Sequence, residues 1–478
     1  MCIEGGQALA NRSEVNLLTR LDRIPLTPRV VGIIFLLSLV WLAEAFDIGI
    51  VGPVLTTLEK SWHLASWQVG LLAIASTVGI VLGMLPSGMI ADKFGRRKVI
   101  LFGILWFSVL TLLGALVSNV ESLFAIRLLA GVGEGAVLPM PYLILSEFTG
   151  HRRRAVSVGY ANGILTAAYI VPSVVSLWAL HNYPADYAWR VPFLLGGIPL
   201  VMLIPIYLWL PESPRYLLER GQAGRVQKLV ESLEHEASLP HDEKLHDDVI
   251  AEMLDATPHD MLNTLKALVR RPLFGRTAMV IMHLTAALIL FYILQVFGPT
   301  LLATRGVAIS NSILYTGIMM LLAGFGSVCQ GYLSDRFGRK AILAVYVGLA
   351  TIGCLLFAFA GSAPIAFAAG FLTAFFGLGI FPVSKLCVAE QYPTDVRGRG
   401  VYIVEMAARG LSGIVTTYFI PFVLKAGGDL VIFLGIAVAL VVLSIPFLVF
   451  GRETARVQLE YASAIVPGKS PERKFSHK

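Results

Sequence analysis

Apolar residues run through this chain in long unbroken stretches, without the polar face that a helix or strand shows when one side meets water. Twelve stretches approach or exceed the roughly 20 residues that a helix needs to cross a bilayer. They cover 30–57, 67–91, 98–118, 121–147, 156–180, 190–210, 275–302, 310–334, 340–361, 363–389, 400–424 and 429–451. None alternates with the two-residue period of a membrane barrel strand. The pattern predicts an all-α membrane protein of twelve transmembrane helices. A polar interval at 211–274 divides them into two six-helix bundles, 30–210 and 275–451, and polar ends at 1–29 and 452–478 flank the pair. Amphipathic runs at 223–236 and 261–269, and another at 13–23 ahead of Pro25 and Pro28, predict short helices on the membrane surface.

Composition points the same way. Of 478 residues, 56% are hydrophobic and 14% charged, against about 25% charged in an ordinary soluble domain. Disorder, collagen-like structure and a disulfide scaffold are excluded by these figures. The net charge of +7 is explained by topology, so nucleic acid is not an expected partner. Four of the 38 Lys and Arg fall on one side of the predicted spans (Lys60, Arg190, Arg305, Lys425) and three within them (Arg127, Lys385, Arg409). All the rest fall on the side holding both termini and 211–274, which positive-inside bias assigns to the cytoplasm. Residues 1–29 lack an apolar core with a cleavage site, so no cleaved signal peptide is expected. The cysteines Cys2, Cys329, Cys354 and Cys387 have no metal-ligand spacing. No phosphate-cradling loop or hydrolase triad is present, so neither an enzyme, a metal nor a cofactor is expected.

The chain repeats itself. Gly88-Met-Ile-Ala-Asp92-Lys-Phe-Gly95-Arg96-Arg97 returns as Gly331-Tyr-Leu-Ser-Asp335-Arg-Phe-Gly338-Arg339-Lys340, with Asp335 standing 243 positions after Asp92. Glu147 and Arg154 return at the same offset as Glu390 and Arg397. Two motifs at one offset imply two halves of like orientation around a central site near the midplane. Opposed charges at these helix ends suit a latch that is made in one state and broken in another; the alternative is a solvated topology signal. The latch candidates are Asp92, Arg96, Arg97, Glu147, Arg154, Asp335, Arg339, Glu390 and Arg397, with Glu212 and Arg215.

These motifs resemble those of the major facilitator superfamily, and the resemblance covers essentially the whole chain. Pro211-Glu212-Ser213-Pro214-Arg215 resembles a sugar-porter signature. Arg20–Pro25, Glu44-Ala-Phe-Asp47, Glu390–Arg397, Ala408-Arg409-Gly410 and Gly451-Arg-Glu-Thr454 look closer to bacterial organic-acid:proton symporters. Those are the niacin-transporter-like group related to synaptic-vesicle glycoprotein 2, and the aromatic-acid symporters. Sugar porters usually carry Pro-Glu-Thr-Lys-Gly after the last span, where this chain reads Gly451-Arg-Glu-Thr-Ala455. The resemblance implies a monomer in the bacterial cytoplasmic membrane that moves a small molecule with protons by alternating access.

Ionisable groups within spans cost about 2.5–3.5 kcal/mol each on insertion scales, so they face cavities and carry function. Asp47 and Arg127 are expected to meet as a protonation switch, or as a static ion pair. An acid and a base at matching places in related proton-coupled porters support the switch. Glu44 and Glu134, both near mid-membrane, are alternative proton sites. Arg409 offers a two-pronged match to a carboxylate, and related organic-anion carriers have an arginine at this place; the alternative is pairing with Glu405 one turn earlier. Lys385 either snorkels to the interface or lines the cavity. His283, Tyr292, Gln295, Asn162 and Tyr169 suit a ring-bearing ligand. The expectation is proton-coupled uptake of a nicotinate-like or other aromatic or hydroxylated carboxylate. Sugar or polyol symport, drug efflux and a non-transporting receptor are the rivals.

Overall fold

The computed structural model describes residues 17–454, except 19, 22, 149–153, 240–260, 271–272 and 393. Among the described residues the secondary structure is helical, with no strand. The first crossing starts at Thr27, whose hydroxyl accepts from the Val30 amide at 3.3 Å, with Pro28 in the first turn. It runs as Pro28–Gly49 and continues as Val51–Ser61, several residues deeper than the apolar run indicated. Spans two and three are Ser66–Phe94 and Arg96–Gly114. Spans seven, eight and nine are Leu273–Ala303, Ile309–Phe337 and Arg339–Ala358.

Several crossings are broken. Span four is Val120–Val137 then Met140–Phe148, and span ten is Ala363–Gly377 then Phe381–Glu390. The first break holds Pro139 and is followed by Pro141, and the second is followed by Pro382; prolines cannot donate to the helical ladder. Span five is Arg154–Ala168 then Ile170–Asn182, and span six is divided at Gly196–Ile198. Such discontinuities are tolerated at membrane depth where protein surrounds them. Span eleven starts at Thr394 and widens after Arg409 into a π-helical stretch, Gly410–Thr416. Helix then continues to Phe450, and the continuous apolar stretch Arg399–Phe450 is 52 residues long. Gly428, at φ 69°, breaks it into spans eleven and twelve. The chain turns there on a single glycine, where sequence had placed a short loop.

The halves meet along two long seams, span two against span eleven and span five against span eight. The repeat extends from sequence to backbone: Gly95 (φ 100°, ψ 148°) and Gly338 (φ 99°, ψ 149°) end spans two and eight in one left-handed conformation.

The linker departs from expectation. Helix Ala223–Glu236 does not lay its apolar face on the bilayer, because Val226, Val230 and Leu233 are fully buried within the protein. Leu17, Leu21 and Ile24 of the N-terminal segment are buried too. Arg20 clamps Glu234 of that helix through Nε at 2.8 Å and Nη2 at 2.5 Å.

Candidate functional site

The N-terminal half holds a sealed charge cluster. Arg127 on span four donates from Nη1 to Asp47 Oδ2 at 2.8 Å and from Nη2 to the Asp47 carbonyl at 3.1 Å. The Thr111 hydroxyl of span three donates to Asp47 Oδ1 and accepts from Arg127 at 3.4 Å. Glu134, completely buried, has Oε1 at 3.8 Å from Arg127 Nη2, and neither of its oxygens has a hydrogen-bond partner. With Asp47 ionised, one guanidinium therefore faces two carboxylates, which low-dielectric packing makes costly. Sequence brought Asp47 and Arg127 together. It missed Thr111, for which no pattern in the chain gave a signal. With the helix running to Ser61, Asp47 lies about 21 Å below that end at about 1.5 Å per residue.

A second cluster lies between the halves. A cavity of about 40 Å³ is walled by Trp41, Glu44 and Tyr142 from spans one and four, Asn162, Thr166 and Tyr169 from span five, and Phe291, Phe381, Lys385 and Arg409 from the second half. Arg409 donates to Glu405 Oε1 from Nε (3.3 Å) and Nη2 (3.0 Å), and from Nη1 to the Tyr292 hydroxyl at 3.1 Å. Gly413 permits that last contact: a Cβ there would sit 2.6 Å from the Tyr292 ring. Lys385 Nζ lies 3.4 Å from the same Glu405 oxygen and donates to the Tyr142 hydroxyl at 3.2 Å. That hydroxyl donates to Asn162 Oδ1 at 2.8 Å, and Asn162 Nδ2 donates to Ser327 in the other half at 3.1 Å. The polar chain thus crosses the seam twice. Lys385 lines the cavity and does not snorkel, because Glu405 and the Tyr142 ring, 4.3 Å from its ammonium, hold it inward.

Three expected ligand residues are placed differently. His283 lies away from the cavity with both ring nitrogens committed, to Ser444 at 3.0 Å and Ser384 at 2.9 Å, and stacks on Phe447. This corrects its expected role, since an imidazole so satisfied is a packing element. Gln295 donates to the Gly49 carbonyl at 3.4 Å on the seam between spans one and seven, also outside the cavity wall. Tyr292 is a step behind the wall, against Arg409. Asn162 and Tyr169 are on it.

At the face carrying the linker, each half repeats one constellation. Arg96 pairs with Glu147, and Arg339 with Glu390. Glu212 accepts from the amides of Arg96 and Arg97 at 3.0 and 3.2 Å; Glu453 accepts from those of Arg339 and Lys340, both at 3.0 Å. Carboxylates at helix N-termini fit the macrodipole. Glu453 was missed by sequence, although Glu453-Thr454 repeats Glu212-Ser213. Arg97 reaches the Tyr207 carbonyl, and Arg215 is exposed. The side chains of Arg154 and Arg397 lie outside the described residues. These pairs stay within their halves. Contact across the seam comes from the repeated aspartates: Asp92 to Arg399 at 3.3 Å, and Asp335 to the Val156 amide at 3.3 Å. At the opposite face Thr56 and Thr300 share a hydrogen bond of 3.1 Å.

A duplicated bundle with a charged chamber on its seam is a known design. The profile of the Major Facilitator Superfamily matches residues 37–417, and again 313–469. The chain belongs to this superfamily. It is a transporter and not an enzyme. It is 26% identical to the niacin transporter NiaP of Acinetobacter baylyi over 448 residues, covering 93% of this chain and 99% of that protein. It is 27% identical to the benzoate transport protein of the same organism, covering 81% and 82%. To the 4-hydroxybenzoate transporter PcaK of Pseudomonas aeruginosa it is 25% identical, covering 69% and 71%. Among solved structures it resembles the proton:xylose symporter XylE, with a TM-score of 0.71, 18% identity, and coverage of 91% and 98%. That likeness establishes the superfamily fold.

Proposed function

We propose that this superfamily member carries a small aromatic or hydroxylated carboxylate, nicotinate-like in size and charge, into the cell together with one or more protons. The observation that carries the reading is the chamber wall. Two cations, Lys385 and Arg409, stand among Trp41, Tyr142, Tyr169, Phe291 and Phe381. A carboxylate needs cationic donors and a ring needs aromatic faces, so this lining suits a guest having both. The names of the niacin, benzoate and 4-hydroxybenzoate relatives support the same class.

Asp47 and Arg127 are proposed as the proton switch. Protonation of Asp47 weakens its hold on Arg127, and Glu134 stands 3.8 Å away as the alternative partner. Glu44 lies three residues before Asp47 on the same helix and lines the chamber, so span one connects proton site and guest. In this reading the linker face is cytoplasmic, the protein works as a monomer in a bacterial inner membrane, and the Asp92 and Asp335 contacts are its inner gate. The chamber must dilate for its guest, because about 40 Å³ is far below the roughly 300–1,000 Å³ of ligand pockets.

The purified protein in liposomes, with an acidic exterior, should accumulate labelled nicotinate, benzoate or 4-hydroxybenzoate, and a protonophore should abolish the gradient. Accumulation of a neutral sugar in place of every acid overturns the reading.

A further inference from the structure

Lys385 and Arg409 face two ways. On one side both line the chamber; on the other both converge on a single atom, Oε1 of Glu405, which is not part of the chamber wall. The three contacts are unequal. Arg409 is on the same helix as Glu405, one turn on, and holds it with two N–H groups at 3.3 and 3.0 Å. Lys385 comes from span ten and is more distant, at 3.4 Å. Its other donor contact is the Tyr142 hydroxyl from the opposite half. Across the chamber, Glu44 Oε2 is buried with no hydrogen-bond partner.

A buried cation left without a counter-charge is strongly destabilising. A carrier that keeps two cations in a buried chamber therefore needs carboxylates beside them whenever its guest is elsewhere. We propose that Glu405 is an internal stand-in for the carboxylate of the guest, and that the guest displaces it from Lys385. This rests on the organic-acid reading above. When the halves part, Tyr142 withdraws with the first half and Lys385 loses its hydroxyl partner. The carboxylate of the guest takes the ammonium, while Arg409 keeps Glu405. When the guest leaves, Lys385 returns to share Glu405 with Arg409, so the halves close again with the ammonium beside a carboxylate. No covalent step is involved. The exchange replaces one carboxylate by another, so a neutral ligand of the same shape cannot drive it. Arg409 becomes a positioning residue for Glu405, and Lys385 the group that selects anions.

The variant Glu405→Gln removes the stand-in while keeping its volume. It should bind benzoate or nicotinate about tenfold more tightly than the native protein, as expected for a charge competitor removed from a buried site. Exchange of labelled for unlabelled acid across the liposome should persist. Net uptake, which requires the carrier to return unloaded, should fall at least about tenfold. Lys385→Met should lose acid binding in the Glu405→Gln background as well. Glu405→Asp keeps the charge but draws it away from Lys385, and should move binding and net uptake the same way by a smaller amount. It serves the test if Glu405→Gln does not fold. Unchanged or weaker acid binding in both variants, or undiminished net uptake, overturns the proposal. If the native protein binds no carboxylate, the organic-acid reading fails instead, whatever the variants do.

Discussion

Asp47 and Arg127 show how far single residues were readable. An acid and a base inside apolar runs had to find each other, because neither is tolerable alone in a low-dielectric interior. The second carboxylate at that guanidinium, Glu134, was recognised only as an alternative proton site near mid-membrane, since lateral distances between helices are set by packing that one sequence does not display. His283 failed for the same reason: Ser384 and Ser444, its partners, lie 101 and 161 residues away. The cluster predicts a sharp asymmetry between substitutions. Arg127→Ala strands Asp47 and Glu134 together and should cost about 3–5 kcal/mol, visible as poor yield or a large fall in melting temperature. Asp47→Asn keeps a hydrogen-bonding group beside Thr111 and Arg127, so it should fold and still exchange substrate. It should lose accumulation driven by a pH gradient; undiminished accumulation in liposomes removes Asp47 as the coupling site.

At the scale of elements, the apolar runs located every crossing, because the bilayer imposes a length that sequence must meet. What they concealed was where helices break. The mid-span interruptions at 138–139 and 378–380 have only Pro139, Pro141 and Pro382 to mark them in sequence. The paired turns at Gly95 and Gly338 carry a direct test. Alanine at either must adopt φ near 100°, at a cost of order 1–3 kcal/mol. At Gly95 the new methyl would also stand 2.4 Å from Glu212 Oε2, against 3.2 Å from Glu453 Oε2 at Gly338. Both variants should lower the detergent melting temperature, Gly95→Ala more than Gly338→Ala. Equal losses would mean that backbone strain alone governs. The linker belongs at this scale too. Arg20→Ala removes two charge-assisted hydrogen bonds from Glu234, which is 4% exposed, and should cost about 1–3 kcal/mol, measurable as earlier release of the linker helix to protease.

The whole molecule was the most legible level, since one offset carried two motifs and two motifs defined the halves. Sequence gave no access to the state of the gates. Among the described residues the halves touch at both faces at once, Asp92 with Arg399 and Asp335 with the Val156 amide at the linker face and Thr56 with Thr300 at the other. Asp92→Asn removes the Arg399 partner from one seam. Spin labels on the linker-side ends of spans two and eleven should then show a population shifted to longer separations; an unchanged distribution would deny Asp92 any part in holding that face shut. The repeated cap has a wider consequence. Glu212 returns from the end of the sixth span to the turn at Gly95, and Glu453 from the end of the twelfth to the turn at Gly338. Each bundle thus ties off its own last helix before the chain moves on. Two polypeptides, divided within 240–260, should assemble into a working carrier when made together in one cell, and their order along a gene should hardly matter.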